Sequence, residues 1–204
     1  MKEKRQKVWA KIPPHVKVCA VTKGRTIQEV QNLLNDLPDI QIIGENRWPD
    51  CEEKFKHFQN LERHFIGPLQ SNKINKVLPI TDVIQSIDSI ELLKKISART
   101  TKTIKFTFQV NISKDSAKQG IDEDNLRPAI EEALKAPNVE LIGLMTIGTK
   151  ENQEKYFSDF KNLFDEINAE YFKMPILSMG MSDDFETAIK CGATMVRLGS
   201  CLFE

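Results

Sequence analysis

The feature that most constrains this chain is a regular alternation of strand-like and helix-like segments from one end to the other. Short apolar runs at about 15–23, 40–46, 63–68, 82–88, 104–111, 139–147, 175–179 and 194–200 read as eight strands. Helical patterns fill the gaps. "IQEVQNLLNDL" follows Thr26, which reads as its N-cap. "DCEEKFKHFQNL", a short "SNKINKVL", "SIELLKKISART", the segment of about 122–136 and "DDFETAIKCG" follow in turn. The clearest is 151–172, where Tyr156, Phe160, Leu163, Phe164, Ile167 and Tyr171 recur at helical spacing. Strands that alternate with helices pair in parallel through right-handed crossovers. A count of eight favours closure into an α/β (β/α)8 TIM barrel over an open sheet. No Pro/Gly/Ser-rich boundary splits the chain, so residues 1–204 are expected to form a single barrel domain. The short N-terminal segment suggests reduced helix packing under the barrel. A polar loop, "SKDSAKQG", precedes the helix of about 122–136.

Composition narrows the function class. The chain is 40% hydrophobic and 28% charged, with 29 basic and 29 acidic residues. Zero formal charge offers no bulk attraction to nucleic acid or an anionic membrane. No apolar run is long enough to span a bilayer, and "MKEKRQKVWAKIPPH" lacks a signal-peptide core. Cys19, Cys51, Cys191 and Cys201 have neither CxxC nor metal-ligand spacing, so they read as reduced thiols of a cytoplasmic protein. His15, His57 and His64 are too dispersed for a zinc site, and no metal is expected.

In such barrels ligands bind at the C-terminal ends of the strands. The first strand of this chain ends in Lys23, and the second in Glu45 and Asn46. The third runs into "GPLQSN", the fourth ends in Ser86 and Asp88, and the seventh runs into "SMGMSDD". The eighth ends in Arg197, Leu198, Gly199 and Ser200. The plain reading of Lys23 is a strand-end lysine reaching into water. Arg197, however, sits among apolar residues on the strand that neighbours the first in a closed barrel. Two cations so placed call for an anion. The glycine-bearing turns "SMGMS" and "RLGS" lie where barrels commonly bind phosphate, and Ser182 reads as the N-cap of the following helix. A phosphate cradle beside a lysine and an arginine points to pyridoxal 5'-phosphate, whose aldehyde forms Schiff bases with lysine amines. Such a lysine must be partly desolvated or near another cation, and the mouth of a packed barrel is expected to provide this for Lys23.

The stretches "AVTKGRTIQEV", "IGENR", "HFIGPLQSNKINKV", "QSIDS", "GLMTIG" and "LSMGMSDDFETAIKCGATMVRLGSCLFE" span residues 18 to 204. In them the sequence resembles the YggS/PROSC family of pyridoxal-phosphate homeostasis proteins, which share the alanine-racemase-like barrel of fold-type III. The resemblance implies that Lys23 holds the cofactor as a Schiff base. It implies that Ser182, Gly199 and Ser200 bind the phosphate, that Arg197 faces the pyridine nitrogen, and that Asn46, His64 and Met179 line the pocket. It also implies a monomer or weak dimer without the racemases' second domain and its opposing tyrosine base. The implied role is holding pyridoxal phosphate in intracellular homeostasis and in amino-acid and keto-acid balance, and delivering it to apo pyridoxal-phosphate enzymes, rather than catalysis. Arg47, Trp48 and Gln85 depart from the commonest family pattern. Two other functions share Lys23: a racemase-like or lyase enzyme of low activity, and a Schiff-base aldolase acting on a phosphorylated sugar. A fourth reading, a structural or partner-binding domain, has no exposed apolar stripe to support it.

Overall fold

The computed structural model describes residues 1–113, 119–149 and 151–204. The polar loop "SKDSAKQG" therefore falls partly outside the described residues. The strands are β1 (Lys17–Val21), β2 (Ile42–Glu45), β3 (Glu62–Phe65), β4 (Val83–Ile87), β5 (Ile104–Asn111), the short β6 (Ile121–Asp122), β7 (Val139–Met145), β8 (Ile176–Ser178) and β9 (Met195–Leu198). All pair in parallel in the order β4-β3-β2-β1-β9-β8-β7-β5, and a β4–β5 pairing closes the ring; β6 extends β5 beyond it. The result is an eight-stranded (β/α)8 TIM barrel, as the alternation predicts.

The helices are α1 (Lys2–Trp9), α2 (Ile27–Asp36), α3 (Asp50–His57), α4 (Ile74–Val77), α5 (Ile90–Ser97), α6 (Glu123–Lys135), α7 (Gln153–Glu170), α8 (Phe185–Lys190) and α9 (Ser200–Phe203). Thr26 caps α2 through a full capping box: it accepts from the Glu29 N–H, and Glu29 reaches back to the Thr26 N–H at 2.8 Å. In α7 Tyr156, Phe157, Phe160, Leu163, Phe164 and Ile167 are buried. Each such side chain stabilises the fold by about 1.5–3 kcal/mol through apolar area removed from water.

Strand alternation divides the core in two. From β1, Val18 and Ala20 join the large layer between barrel and helices, while Cys19 faces inward to pack with Ile42, Ile176 and Met195. This small apolar plug fills part of the barrel. The wall itself admits no side chain at Gly143, where a Cβ would run into the Ile176 backbone.

The N-terminus differs from expectation. α1 forms and is tied down by a buried arginine. Arg5 donates to the Leu202 carbonyl at 2.8 Å and pairs with Asp36 at 2.6 Å, so α1, α2 and α9 are linked by one guanidinium. A lone arginine in a strongly polar segment gave no sign in the sequence that its partners were Asp36 and, at the far end of the chain, Leu202.

Candidate functional site

The site is built at the C-terminal rim of the barrel. The pairing of β1 with β2 continues one residue past the strand, where the Thr22 N–H donates to the Gly44 carbonyl at 3.0 Å. Lys23 follows, and Gly24 turns the chain with φ +69°, a left-handed conformation that glycine adopts without strain. Lys23 is exposed. The chain turns immediately after Lys23, so packing alone leaves the residue exposed.

Thr22, just before Lys23, is held firmly. Its hydroxyl donates to Glu45 Oε1 at 2.6 Å, and Lys54 from α3 donates to the Thr22 carbonyl at 2.7 Å while pairing with Glu45. All three residues are buried. The sequence reading placed Glu45 at a strand end but missed Lys54, whose approach depends on how α3 packs back on the barrel.

Ser182 is not the cap of α8. That helix starts at Phe185 with Asp184 in the capping position, and Asp184 Oδ1 instead accepts from the Met181 N–H at 2.6 Å. The Ser182 hydroxyl turns across to the end of β9. Its Oγ accepts from the backbone N–H groups of Gly199 at 3.1 Å and Cys201 at 3.3 Å. Two N–H groups and a hydroxyl thus converge at the ends of β8 and β9. Ser200 lies between them and is exposed. The residue types suit a phosphate: every group in the set donates or can donate, and none carries a negative charge.

Arg197 projects into the barrel and is only 4% exposed. Its Nη1 donates to Ser178 Oγ at 2.8 Å and its Nη2 to the Thr146 carbonyl at 2.8 Å. Burial holds its pKa down at about 10. Among the described residues no carboxylate pairs with it, and Asp184 acts on it only at longer range. Cys19, level with Arg197 on the neighbouring strand, has its thiol pushed up to about 12 by burial, despite the opposing pull of Arg197.

The remaining expected residues are spread around this centre. Asn46 lines a cavity of about 370 Å3 at the rim with Arg47, Trp48, Gln70 and Lys73, and its buried Oδ1 has no partner among the described residues. His64 is fully inside the barrel, bonded to Gln85 at 2.6 Å and Glu62 at 2.9 Å, and connects to Arg197 only through other side chains. The Met179 side chain is buried in the layer between barrel and helices. It is the neighbour of inward-facing Ser178, and alternation turns it away from the face that carries Arg197. Ser178, Gln85 and Thr146 hold or support Arg197 and were not among the expected site residues. Ser178 and Thr146 were marked in the sequence by their position near strand ends, and Gln85 by its departure from the commonest family pattern.

The family described as "Alanine racemase, N-terminal domain" matches residues 1–204. A protein of Aquifex aeolicus named pyridoxal phosphate homeostasis protein is 38% identical over 174 residues, covering 80% of this chain and 76% of that protein. The chain belongs to this family. A member from Helicobacter pylori is 36% identical over 93% of this chain and 87% of its own length. Among solved structures, PipY of Synechococcus elongatus, described with pyridoxal phosphate (PLP) bound, aligns with a TM-score of 0.88 at 26% identity, covering 100% of this chain and 99% of its own. An alanine racemase of Clostridium difficile aligns with a TM-score of 0.78 at 18% identity; it covers 98% of this chain but only 55% of its own, which shows a shared fold for the barrel. Among the described residues no helix is long and apolar enough to cross a membrane, and no cluster of His, Cys, Asp or Glu suits a metal ion.

Proposed function

We propose that this chain binds pyridoxal 5'-phosphate and serves in pyridoxal-phosphate homeostasis rather than turnover. The observation that carries this reading is the convergence of the Ser182 hydroxyl with the Gly199 and Cys201 N–H groups beside a buried arginine that pairs with no carboxylate among the described residues. The names of the relatives and the bound cofactor of PipY point the same way. When bound, the cofactor supplies an aldehyde that condenses with a primary amine and a phosphate that anchors it.

Ser182, Gly199 and Ser200 bind the phosphate in this reading. Lys23 supplies the amine as a Schiff-base partner from the rim, where it is exposed to an arriving ligand. Arg197 opposes a proton at the ring nitrogen, because a cation disfavours a second positive charge beside it. Asn46 offers its unpartnered oxygen to the pocket wall. His64 acts from below and Met179 through its backbone. Racemisation needs proton-transfer groups on both faces of a substrate carbon, and Lys23 serves one face. The alternative is a racemase-like enzyme of low activity, which requires a second such group. The whole of residues 1–204 acts as one cofactor-binding domain, as a monomer or weak dimer in the cytoplasm, with apo pyridoxal-phosphate enzymes as recipients.

The test is spectroscopic. Protein mixed with pyridoxal phosphate is expected to develop a visible absorbance band, and borohydride is expected to fix the pyridoxyl mass on Lys23. Lys23→Ala is expected to fold with an unchanged melting temperature and stay colourless. A normal band in that variant overturns the assignment. Turnover of alanine enantiomers in proportion to protein favours the racemase alternative.

A further inference from the structure

Inside the barrel runs a row of hydrogen bonds that the reading above leaves without a purpose. Arg197 Nη1 donates to Ser178 Oγ at 2.8 Å, and Ser178 Oγ donates to Gln85 Oε1 at 2.7 Å. Gln85 Nε2 meets His64 Nδ1 at 2.6 Å, and His64 Nε2 meets Glu62 Oε1 at 2.9 Å. The row crosses from β9 through β8 and β4 to β3. Gln85 and Ser178 are fully buried and His64 is 1% exposed.

The directions of these bonds are dictated by chemistry. A guanidinium only donates, so Ser178 accepts from Arg197 and sends its own proton to the Gln85 oxygen. The Gln85 amide must then turn its NH2 toward His64, whose Nδ1 must accept. The His64 proton is left on Nε2, facing the Glu62 carboxylate. Every member has its partner in one arrangement, which is the condition under which a buried polar network fixes a single geometry. A second proton on His64 would sit on Nδ1 against the Gln85 NH2, donor facing donor. The amide would have to turn over, and Ser178 would lose its acceptor. The charged groups around this end of the row are Glu62 on β3, with Lys17 on β1 and Lys105 on β5 acting on it; Arg197 on β9 stands at the other end.

We propose that Gln85 and Ser178 are positioning residues that hold the Arg197 guanidinium in one orientation, locked by neutral His64 in its Nε2–H form. The consequence for the cofactor rests on the pyridoxal-phosphate reading, but the row itself does not. Two donors of Arg197 are committed to Ser178 and Thr146, and this aims the others. The environment of the ring nitrogen then depends on residues that never touch it.

The experiment uses the full chain in two states. In cofactor-free protein, 15N NMR is expected to show His64 with its proton on Nε2 and slowed rotation of the Arg197 guanidinium. Ser178→Ala is expected to speed that rotation, while Ser178→Thr, which keeps the hydroxyl, preserves it. With pyridoxal phosphate added, Ser178→Ala is expected to bind about tenfold more weakly, the scale of one lost hydrogen bond to a charged group, and its visible band is expected to move. Gln85→Leu is expected to move the band the same way. A purely structural row would lower the melting temperature of Ser178→Ala and leave band and affinity unchanged; that result overturns the proposal, as does a His64 proton on Nδ1. If the native protein takes up no pyridoxal phosphate, the functional reading fails, while the NMR of the cofactor-free protein still decides whether the row holds Arg197.

Discussion

Two buried cations lie close to the same rim and are satisfied in opposite ways. Lys54, 8% exposed, pairs directly with the fully buried Glu45 and also donates to the Thr22 carbonyl. Among the described residues Arg197, 4% exposed, meets only the neutral oxygens of Ser178 and Thr146. The nearest carboxylate along its hydrogen-bonded row is Glu62, reached through Ser178, Gln85 and His64. A buried charge left with neutral partners is costly to the fold alone. Lys54 completes a closed structural unit on the outer face of the barrel wall. Arg197, on the inner face, has its charge free for a ligand in the proposed reading. In that reading the unpaired cation, not the better-bonded one, marks the site.

The largest expected effect tests the paired member. Lys54→Met leaves the Glu45 carboxylate buried and uncompensated, with its Oε2 already lacking a partner among the described residues. Denaturant unfolding is expected to show a loss of about 3–5 kcal/mol. Arg197→Met should behave differently. In cofactor-free protein it removes a desolvated charge while orphaning two oxygen acceptors, so the net loss is expected to stay below about 2 kcal/mol. The same variant is expected to bind pyridoxal phosphate poorly and with a displaced absorbance band. If it unfolds the cofactor-free protein as severely as Lys54→Met, the contrast between the two cations collapses.

The smallest expected effect concerns the far end of the Arg197 row. The hydrogen bond from His64 holds the Glu62 pKa below the ordinary glutamate value of 4.5. A carboxylate lowered in this way contributes stability that is present above its unfolded value and is lost as pH falls through its folded one. Melting temperatures measured down the acid limb are therefore expected to fall more gently in Glu62→Gln than in the native chain. Identical slopes would mean that the row does not end on a charged Glu62.

The architecture was open to reading from the sequence because it rests on local periodicity. Tyr156, Phe160, Leu163 and Ile167 declare α7 by spacing alone, and Thr26 with Glu29 spells out a capping box within four residues of chain. The site was only half legible. Lys23, Arg197, Ser182 and Gly199 stand at strand ends, and in a barrel that fixes which rim they share. Ser182 was misjudged as a helix cap because capping chemistry and backbone N–H capture use the same hydroxyl, and only the approach of β9 to β8 chose between them. Gln85 and Ser178 gave little sign, since an amide or a hydroxyl in a buried strand acquires meaning only from what faces it across the barrel.

What the sequence by itself determined was the order of strands and helices and the strand ends at which Lys23, Arg197, Ser182 and Gly199 stand, because both follow from the period of apolar residues along the chain. Only the tertiary structure decided that Lys23 stands in the open, that Lys54 closes on Glu45, and that Arg197 is tied through Ser178 and Gln85 to His64. Those facts depend on which side chains closure of the ring brings within hydrogen-bond reach, and residues as far apart in the chain as Gln85 and Arg197 carry no local pattern that records it.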